Sequence, residues 1–352
     1  MEPTKESPDK LKPSVIIQQK SSSIPIAIVA LSVIALLGIV LVIAGFFVLA
    51  VITNPKESSD SDMETTFVTG DSASSHRAAI ISIEGFIYEV EESSLFFSGT
   101  NTVSAIRKRL KKAARDKVKA IILDVNSPGG GVHASDTIYR EIVKFKKNHP
   151  DIPIIAHFKD LAASGGYYVS APADWIVASP STLTGSIGVI LMHRNLKGLT
   201  EEKLGIKSRA FISGAQKDIL SPYRDMTKPE EDHIQSIVDE LYDQFVNIVV
   251  EGRKGRITEE QVRALECTVL TGTQAKEKGL VDHLGTLDDA VAKATELARV
   301  ESLKVVRYSP PRSLLQELVK VRFDTRVQVG PTSGLEPHLN RGGSPFLYLW
   351  RL

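Results

Sequence analysis

The sequence predicts an α/β domain made of βαβ units, preceded by one transmembrane helix. Within residues 78–308, strand-like apolar runs alternate with amphipathic helices, which is the pattern of a parallel sheet with crossover helices. Residues 26–52 are almost wholly Ile, Val, Leu, Ala, Phe and Gly, and residues 21–55 contain no charge. Because a helix needs about 20 apolar residues to cross a bilayer, this run is long enough to span one.

The charges around the apolar run predict its orientation. Lys5, Lys10, Lys12 and Lys20 precede it, and only Lys56 follows closely, so the positive-inside rule puts the N-terminus in the cytoplasm. A signal-peptide core is shorter, roughly 7 to 15 residues, which favours an uncleaved anchor over a cleaved signal. We predict a single-pass protein of the inner (cytoplasmic) membrane, with its folded domain on the outer, periplasmic or extracellular, side.

Composition sets the remaining boundaries. We predict a cytoplasmic segment at 1–23, an anchor at 24–54, a flexible linker rich in Ser, Asp, Glu and Thr at 55–77, a folded domain at 78–308 and a tail at 309–352. The tail ends in an apolar run at 345–352.

Charge and cysteine content exclude several functions. The 43 Lys and Arg residues nearly balance the 42 Asp and Glu residues, for a net charge of +1, so a nucleic-acid partner is not expected. Cys267 is the single cysteine, and no Cys/His spacing is typical of a zinc site. We therefore expect no metal and no cofactor.

The elements of the folded domain are predicted in order. Two buried strands at 78–87 and 118–125 enclose a basic helix, and the apolar stripe of that helix consists of Val103, Ile106, Leu110 and Ala114. A second helix precedes strands at 154–158, 176–178 and 187–191, and its apolar residues are Ile138, Ile142 and Phe145. Three further helix starts are indicated by capping-box pairs, namely Thr227 with Glu230, Thr258 with Gln261, and Thr286 with Asp289.

Two glycine-rich turns follow buried strands and precede helices. The turn at 126–131 contains Gly130, and glycines there allow backbone N–H groups to converge on an anion. The second turn places Ser164 at a helix start, followed by Gly165. A serine in this position is most often only a helix cap. Together, however, the two turns would form a two-donor oxyanion hole beside a hydroxyl nucleophile.

The residues alone leave the base for Ser164 open. His157 and His193 are the histidines nearest in sequence, but each is better explained as an ordinary residue at a strand edge, so a Ser-His-Asp triad is disfavoured. A lysine amine can serve only in an apolar pocket that favours its neutral form. Lys217 lies in a loop flanked by apolar residues, where an exposed loop lysine is the usual interpretation.

Over residues 78–306 the chain resembles the signal peptide peptidase A (SppA) family, which are serine/lysine peptidases with the fold of Clp protease and the crotonases. The resemblance rests on motifs at 126–130, 162–168, 184–189, 213–218, 221–224 and 279–285. It implies Ser164 as nucleophile, Lys217 as general base, Ser186 as the hydrogen-bond partner of that lysine, and Gly130 and Gly165 as oxyanion donors.

The resemblance also implies a substrate and an assembly. Family members cleave remnant signal peptides and other apolar peptides, and single-domain members form homo-oligomers in which the lysine of one subunit serves the serine of the next. The turn at 266–270 departs from the family pattern because it lacks the usual glycine, and so does the stretch at 157–160.

Two alternatives belong to other classes. A crotonase-like enzyme would leave Ser164 without a role and would place coenzyme A chemistry outside the cytoplasm. A catalytically inactive peptide-binding membrane scaffold or immunity factor would use Ser164 only as a cap, but the intact Ser164, Lys217 and Ser186 argue against it.

Overall fold

The structure is a computed structural model that describes residues 31, 35–45, 63–89, 102–310 and 346–349. The chain divides into two units, Met1–Glu57 and Ser58–Leu352. In the first unit, residues 35–45 are helical. Among the described residues, no helix is long and apolar enough to cross a membrane. The predicted anchor at 24–54 lies mostly outside those residues, as does the segment 1–23.

The second unit is a mixed α/β fold, which confirms the predicted class. In chain order its elements are β1 (Glu64–Gly70), β2 (Arg77–Glu84), α1 (Thr102–Arg115), β3 (Ala120–Ser127), β4 (Gly129–Gly131), α2 (Val132–Asn148), β5 (Ile154–Ala163), α3 (Gly165–Ser170), β6 (Trp175–Ala178), β7 (Leu183–Gly185) and β8 (Ile190–Leu191). A π-helix (Gly198–Lys203) is followed by α4 (Lys228–Gly252), α5 (Glu259–Arg263), β9 (Val269–Thr271), α6 (Gly272–Glu277), β10 (His283–Leu284), α7 (Leu287–Leu297), β11 (Lys304–Ser309) and β12 (Phe346–Leu349).

The central sheet has the order β1-β11-β2-β3-β5-β6-β10, and the strands from β11 to β10 are parallel. Helices α1 to α4 cover one face and α7 covers the other, so β3 is buried from Ala120 to Val125. Because both faces are covered, these strands are continuous apolar runs. Strand β7 extends the carboxyl end of β5 in parallel and pairs antiparallel with β9. The catalytic candidates lie at this end of the sheet.

Several predicted elements need correction. Part of the predicted flexible linker at 55–77 is the strand β1, which pairs antiparallel with β11 through a register that joins Glu64 to Ser309. Strand β5 runs to Ala163, whereas only residues 154–158 were predicted. Of the predicted strand at 187–191, only Ile190 and Leu191 form a strand, β8, and the separate strand β7 precedes that stretch. On α1 the buried alanine is Ala113, whereas Ala114 is only partly buried.

The predicted helix starts are found. Thr227 donates its N–H to the Glu230 carboxylate at 2.8 Å, and Glu230 also accepts a 2.9 Å hydrogen bond from the Thr227 hydroxyl. The pairs at Thr258 and Thr286 form capping boxes as well. Each box satisfies N–H groups that a helix N-terminus leaves free.

Candidate active site

Ser164 joins the end of β5 to the start of α3 in a strained conformation. Its φ is 53° and its ψ is −117°, a region that non-glycine residues rarely adopt. Its N–H donates to the Gly185 carbonyl at 2.8 Å, which holds the turn against β7. Because of this backbone conformation, the Ser164 side chain leaves the turn in a different direction from the side chain of an ordinary N-cap residue.

The Ser164 hydroxyl does not act as a helix cap. It makes no hydrogen bond to the first turn of α3, and its Oγ is buried without a hydrogen-bond partner among the described residues. The residue is 1% exposed. Because a buried hydroxyl without a partner is unfavourable by about 1–3 kcal/mol, its retention points to a chemical role.

Helix α3 is fixed by its two tyrosines. Tyr167 donates its hydroxyl to the Leu280 carbonyl at 2.8 Å, and Tyr168 donates to the Asp136 carboxylate at 3.0 Å. Burial raises the pKa of Tyr167, so its hydroxyl remains a donor. These bonds tie the helix that follows Ser164 to two other parts of the core.

The glycine turn at β4 lies directly against Gly165. A Cβ built on Gly165 would lie 3.0 Å from the Gly129 Cα and 3.1 Å from the Gly130 nitrogen. Gly130 is equally confined, since its Cβ would lie 2.0 Å from the Ile87 carbonyl oxygen. Only glycine fits at either position, and the two backbones therefore approach each other beside Ser164.

The N–H of Gly130 is directed away from Ile87. Ile87 donates to the Gly129 carbonyl and accepts from the Gly131 N–H, both at 2.9 Å. Since successive backbone groups of a strand alternate between its two edges, the Gly130 N–H faces the opposite edge of β4. The N–H of Gly165 lies in the first turn of α3, where an intrahelical acceptor is lacking. These two N–H groups are suited to stabilise an oxyanion.

Ser186 follows β7 as Ser164 follows β5. Ala163 pairs with Gly185 in a parallel register, so the residues after them emerge at the same end of the sheet. Ser186 has φ 49° and is anchored by a 3.0 Å hydrogen bond from its N–H to the Thr268 carbonyl. The structure thus brings together four predicted site residues, namely Ser164, Ser186, Gly130 and Gly165.

Lys217, the fifth predicted residue, is not brought to them. It is exposed in a turn closed by a 3.0 Å hydrogen bond from its N–H to the Gly214 carbonyl. Since the Ser164 Oγ has no partner in the described part of the chain, Lys217 does not contact it there. The adjacent Asp218 is held by Arg224, which also binds Glu230 at 2.6 Å. This ion-pair cluster attaches the lysine loop to the start of α4.

The two histidines make no triad. His157 lies in the middle of β5, not at an edge as predicted, and its Nδ1 is 2.8 Å from the buried Asp124 carboxylate. His193 Nε2 contacts the Ser221 carbonyl at 3.1 Å. Neither reaches the Ser164 hydroxyl, so a Ser-His-Asp arrangement is absent from the described residues.

One residue of the site has no distinguishing sequence signal. Ser135, on α2, has a buried Oγ without a partner among the described residues. A Cβ on Gly165 would lie 2.7 Å from that oxygen. In the sequence it is an ordinary helix serine, and only the approach of α2 to the Ser164 turn reveals it.

The departure from the family pattern at 266–270 has a visible consequence. Glu266 and Cys267 adopt φ values of 47° and 59°, in the left-handed region that favours glycine. In the described ranges, no group of three or more His, Cys, Asp or Glu side chains is arranged to hold a metal ion.

Several known proteins are similar to this chain. Residues 146–301 match peptidase family S49. A protein of Enterococcus faecium that carries the provisional name signal peptide peptidase SppA is 41% identical over 238 residues, which cover 67% of this chain and 68% of that protein. Protease 4 of Salmonella typhi is 37% identical over 238 residues, and the match covers 67% of this chain but 37% of that longer protein. Among solved structures, a mutant of the 1510-N membrane-bound stomatin-specific protease aligns over 68% of this chain and 100% of its own, with 16% identity and a TM-score of 0.45.

Proposed function

This chain belongs to peptidase family S49 and is a serine peptidase, and from that premise we propose that it cleaves apolar peptides with Ser164 as nucleophile and Lys217 as base. The physiological substrates in this proposal are remnant signal peptides left after preprotein processing. One observation carries the assignment of the nucleophile: a strained, buried Ser164 whose hydroxyl neither caps its helix nor binds another described residue.

The proposed chemistry follows from the residues around that hydroxyl. The Ser164 Oγ attacks the scissile carbonyl while a neutral lysine amine accepts its proton, and the same amine then protonates the leaving nitrogen. The N–H groups of Gly130 and Gly165 stabilise the negative oxygen of the tetrahedral intermediate. Ser186 orients the amine. Water then releases the acyl group and regenerates the serine.

We further propose that the base comes from a second copy of the chain. The arm at 190–217 supports this, because it carries Lys217 and exposes apolar side chains that a monomer leaves in water. Phe211 is 87% exposed, Leu204 60% and Ile206 56%. Packing this arm on a neighbour would remove apolar surface from water and desolvate the amine, which favours the neutral form that a base requires.

The proposed location is the inner membrane, with residues 24–54 as anchor and the peptidase domain outside the cytoplasm. Such an anchor would hold the site near its substrates, because signal peptides released from preproteins are themselves apolar and stay in the bilayer. We expect no nucleic acid among its partners, since basic and acidic residues balance.

The test uses the full chain and an apolar fluorogenic signal peptide. Ser164→Ala and Lys217→Ala should each lower kcat by more than about 10³-fold, because a nucleophile and its base act as a unit. Lys207→Ala is the matched control, since it removes an exposed lysine of the same arm and should leave kcat unchanged. Turnover by Lys217→Ala at the wild-type rate would remove Lys217 from the mechanism.

Mixing the two inactive variants tests whether the site is shared. If Ser164 of one copy works with Lys217 of the next, random co-assembly at equal amounts regenerates an intact pair at about one quarter of the sites. Activity of the mixture should therefore recover to about that fraction of wild type. A mixture that stays inactive after dissociation and reassembly would show that the dyad is not shared.

A further inference from the structure

Arg224 binds two carboxylates beside the lysine loop, residues 211–222, which carries Lys217. Its Nε and Nη2 donate to the two Asp218 carboxylate oxygens at 3.0 and 2.8 Å. Its Nη1 and Nη2 donate to the two Glu230 carboxylate oxygens at 2.9 and 2.6 Å. Both contacts are therefore bidentate, which is the geometry in which a guanidinium fixes the orientation of a carboxylate.

We propose that Arg224 is a positioning residue for the general base: it binds the Asp218 carboxylate and thereby prevents that carboxylate from pairing with the amine of the adjacent Lys217. The inference rests on the proposed function, because it takes Lys217 to be the base. A base must be neutral to accept a proton, and a carboxylate beside an amine favours the charged ammonium form. Arg224 therefore keeps Lys217 available for proton transfer.

The position of Asp218 gives the first argument. Asp218 follows Lys217 directly, and the loop is tightly turned at both residues. The Lys217 N–H donates to the Gly214 carbonyl at 3.0 Å, and the Ser221 N–H donates to the Asp218 carbonyl at 2.8 Å. Because a lysine side chain is long and flexible, a free carboxylate on the next residue lies within its reach. Among the described residues, however, no carboxylate forms an ion pair with the Lys217 amine, and the Asp218 carboxylate is bound by Arg224.

The charge of the surroundings gives the second argument. The charged side chains that line the hollow between the lysine loop and the start of α4 are Asp218, Arg224, Glu230 and, from the arm, Arg209. Hydrogen bonds from Arg224 lower the pKa of Asp218 and lower that of Glu230 to about 2, so both carboxylates are ionised at neutral pH. Loss of Arg224 would leave two negative charges without the guanidinium that they share.

The anchoring of Arg224 gives the third argument. Glu230 is 4% exposed, and it also accepts hydrogen bonds from the N–H and the hydroxyl of Thr227 at 2.8 and 2.9 Å. Arg224 Nη1 donates to the Asp225 carbonyl at 3.0 Å, and the Asp225 carboxylate is bound by Lys197 at 2.6 Å. Arg224 is thus fixed to the start of α4, and the lysine loop is held against it.

The test is the pH dependence of kcat/KM, measured on the full chain with an apolar fluorogenic peptide. If a neutral amine is the base, kcat/KM of wild type rises with pH. Arg224→Gln frees the Asp218 carboxylate and should move this rise by about one pH unit to higher pH, which is about a tenfold loss of kcat/KM at a pH below the rise. Asp218→Asn should not move the rise to higher pH, because no carboxylate is freed. The double variant Arg224→Gln/Asp218→Asn should recover most of the shift.

The two single variants separate this proposal from a purely structural role of the ion pair. Both break the same contact, so a structural role predicts the same effect for both. Arg263→Gln is the matched control, since Arg263 also binds two carboxylates, those of Asp243 at 2.7 Å and Glu259 at 2.8 Å, outside the lysine loop. It should leave the pH of the rise unchanged. The proposal is overturned if Arg224→Gln does not shift the rise, or if Asp218→Asn shifts it equally.

A second measurement needs no turnover. In the inactive Ser164→Ala background, the rate at which acetic anhydride acetylates Lys217 is followed by mass spectrometry as a function of pH, because only the neutral amine reacts. Adding Arg224→Gln should slow this reaction about tenfold near neutral pH. Turnover by Lys217→Ala at the wild-type rate would refute the proposed function, whatever the labelling shows. An inactive Lys217→Ala, together with equal labelling rates with and without Arg224→Gln, would refute this inference alone.

Discussion

Gly165→Ala is the substitution whose effect the structure specifies most closely. The new Cβ would lie 2.7 Å from the Ser135 Oγ, 3.0 Å from the Gly129 Cα and 3.1 Å from the Gly130 nitrogen. The last two atoms belong to backbone, so the start of α3 must move away from β4. That movement separates the two N–H groups that are proposed to hold the oxyanion.

The expected loss is that of one oxyanion donor, about 10²–10³-fold in kcat, or about 2.7–4 kcal/mol. KM should change little, since the donor acts mainly in the transition state. Initial rates over a range of apolar peptide concentrations measure both constants, and thermal melting checks that the variant is folded.

Gly131→Ala is the matched control for this substitution. It lies in the same turn, has φ −63°, and its Cβ would meet nothing closer than 3.9 Å. It should keep kcat within about threefold of wild type. A folded Gly165→Ala enzyme with kcat as close to wild type as that control would refute the oxyanion assignment.

Two further predictions concern the arm and the ion-pair cluster. Phe211→Asp should dissociate the proposed oligomer and abolish turnover, whereas Phe67→Asp, a partly exposed control on β1, should do neither. Light scattering after size exclusion measures the mass of each variant. An unchanged mass for Phe211→Asp would contradict the role of the arm. Hydrogen bonds from Arg224 lower the pKa of Glu230 from 4.5 to about 2, so its stabilising contribution is complete above pH 4.5 and is lost as the pH falls toward 2. The urea midpoint of wild type should therefore fall more between pH 5 and pH 3 than that of Glu230→Gln. An equal fall of the urea midpoint in both proteins would count against a stabilising role for the Arg224–Glu230 ion pair.

The sequence predicts those parts of the fold that are locally determined. β3 is buried on both faces and forms a continuous apolar run, and the boxes at Thr227, Thr258 and Thr286 depend on residues three positions apart. The strand β1 escapes sequence-based prediction because most of its side chains are exposed. It is held by pairing with β11, more than 230 residues away in the chain. No local pattern encodes such a partner.

The same distinction holds for the candidate site. Ser164, Gly130 and Gly165 could be found because each lies in a strand-to-helix turn with an unusual composition. Ser135 could not, since its importance comes from the approach of α2 to another turn. Lys217 was identified only by family resemblance. Its side chain is exposed in a single copy of the chain, so no local feature there marks it as the base.

The pairing of β1 with β11 also determines how the domain responds to tension. Glu64 lies beside Ser309, so the chain enters and leaves the sheet at one corner. A pull between these two ends loads the hydrogen bonds of the antiparallel pair one after another, as in opening a zipper, and does not shear them all at once. A force applied through the residues before Glu64 would therefore detach β1 from β11 first. β3 and β5, which carry the two glycine turns, would bear no force until β1 had separated.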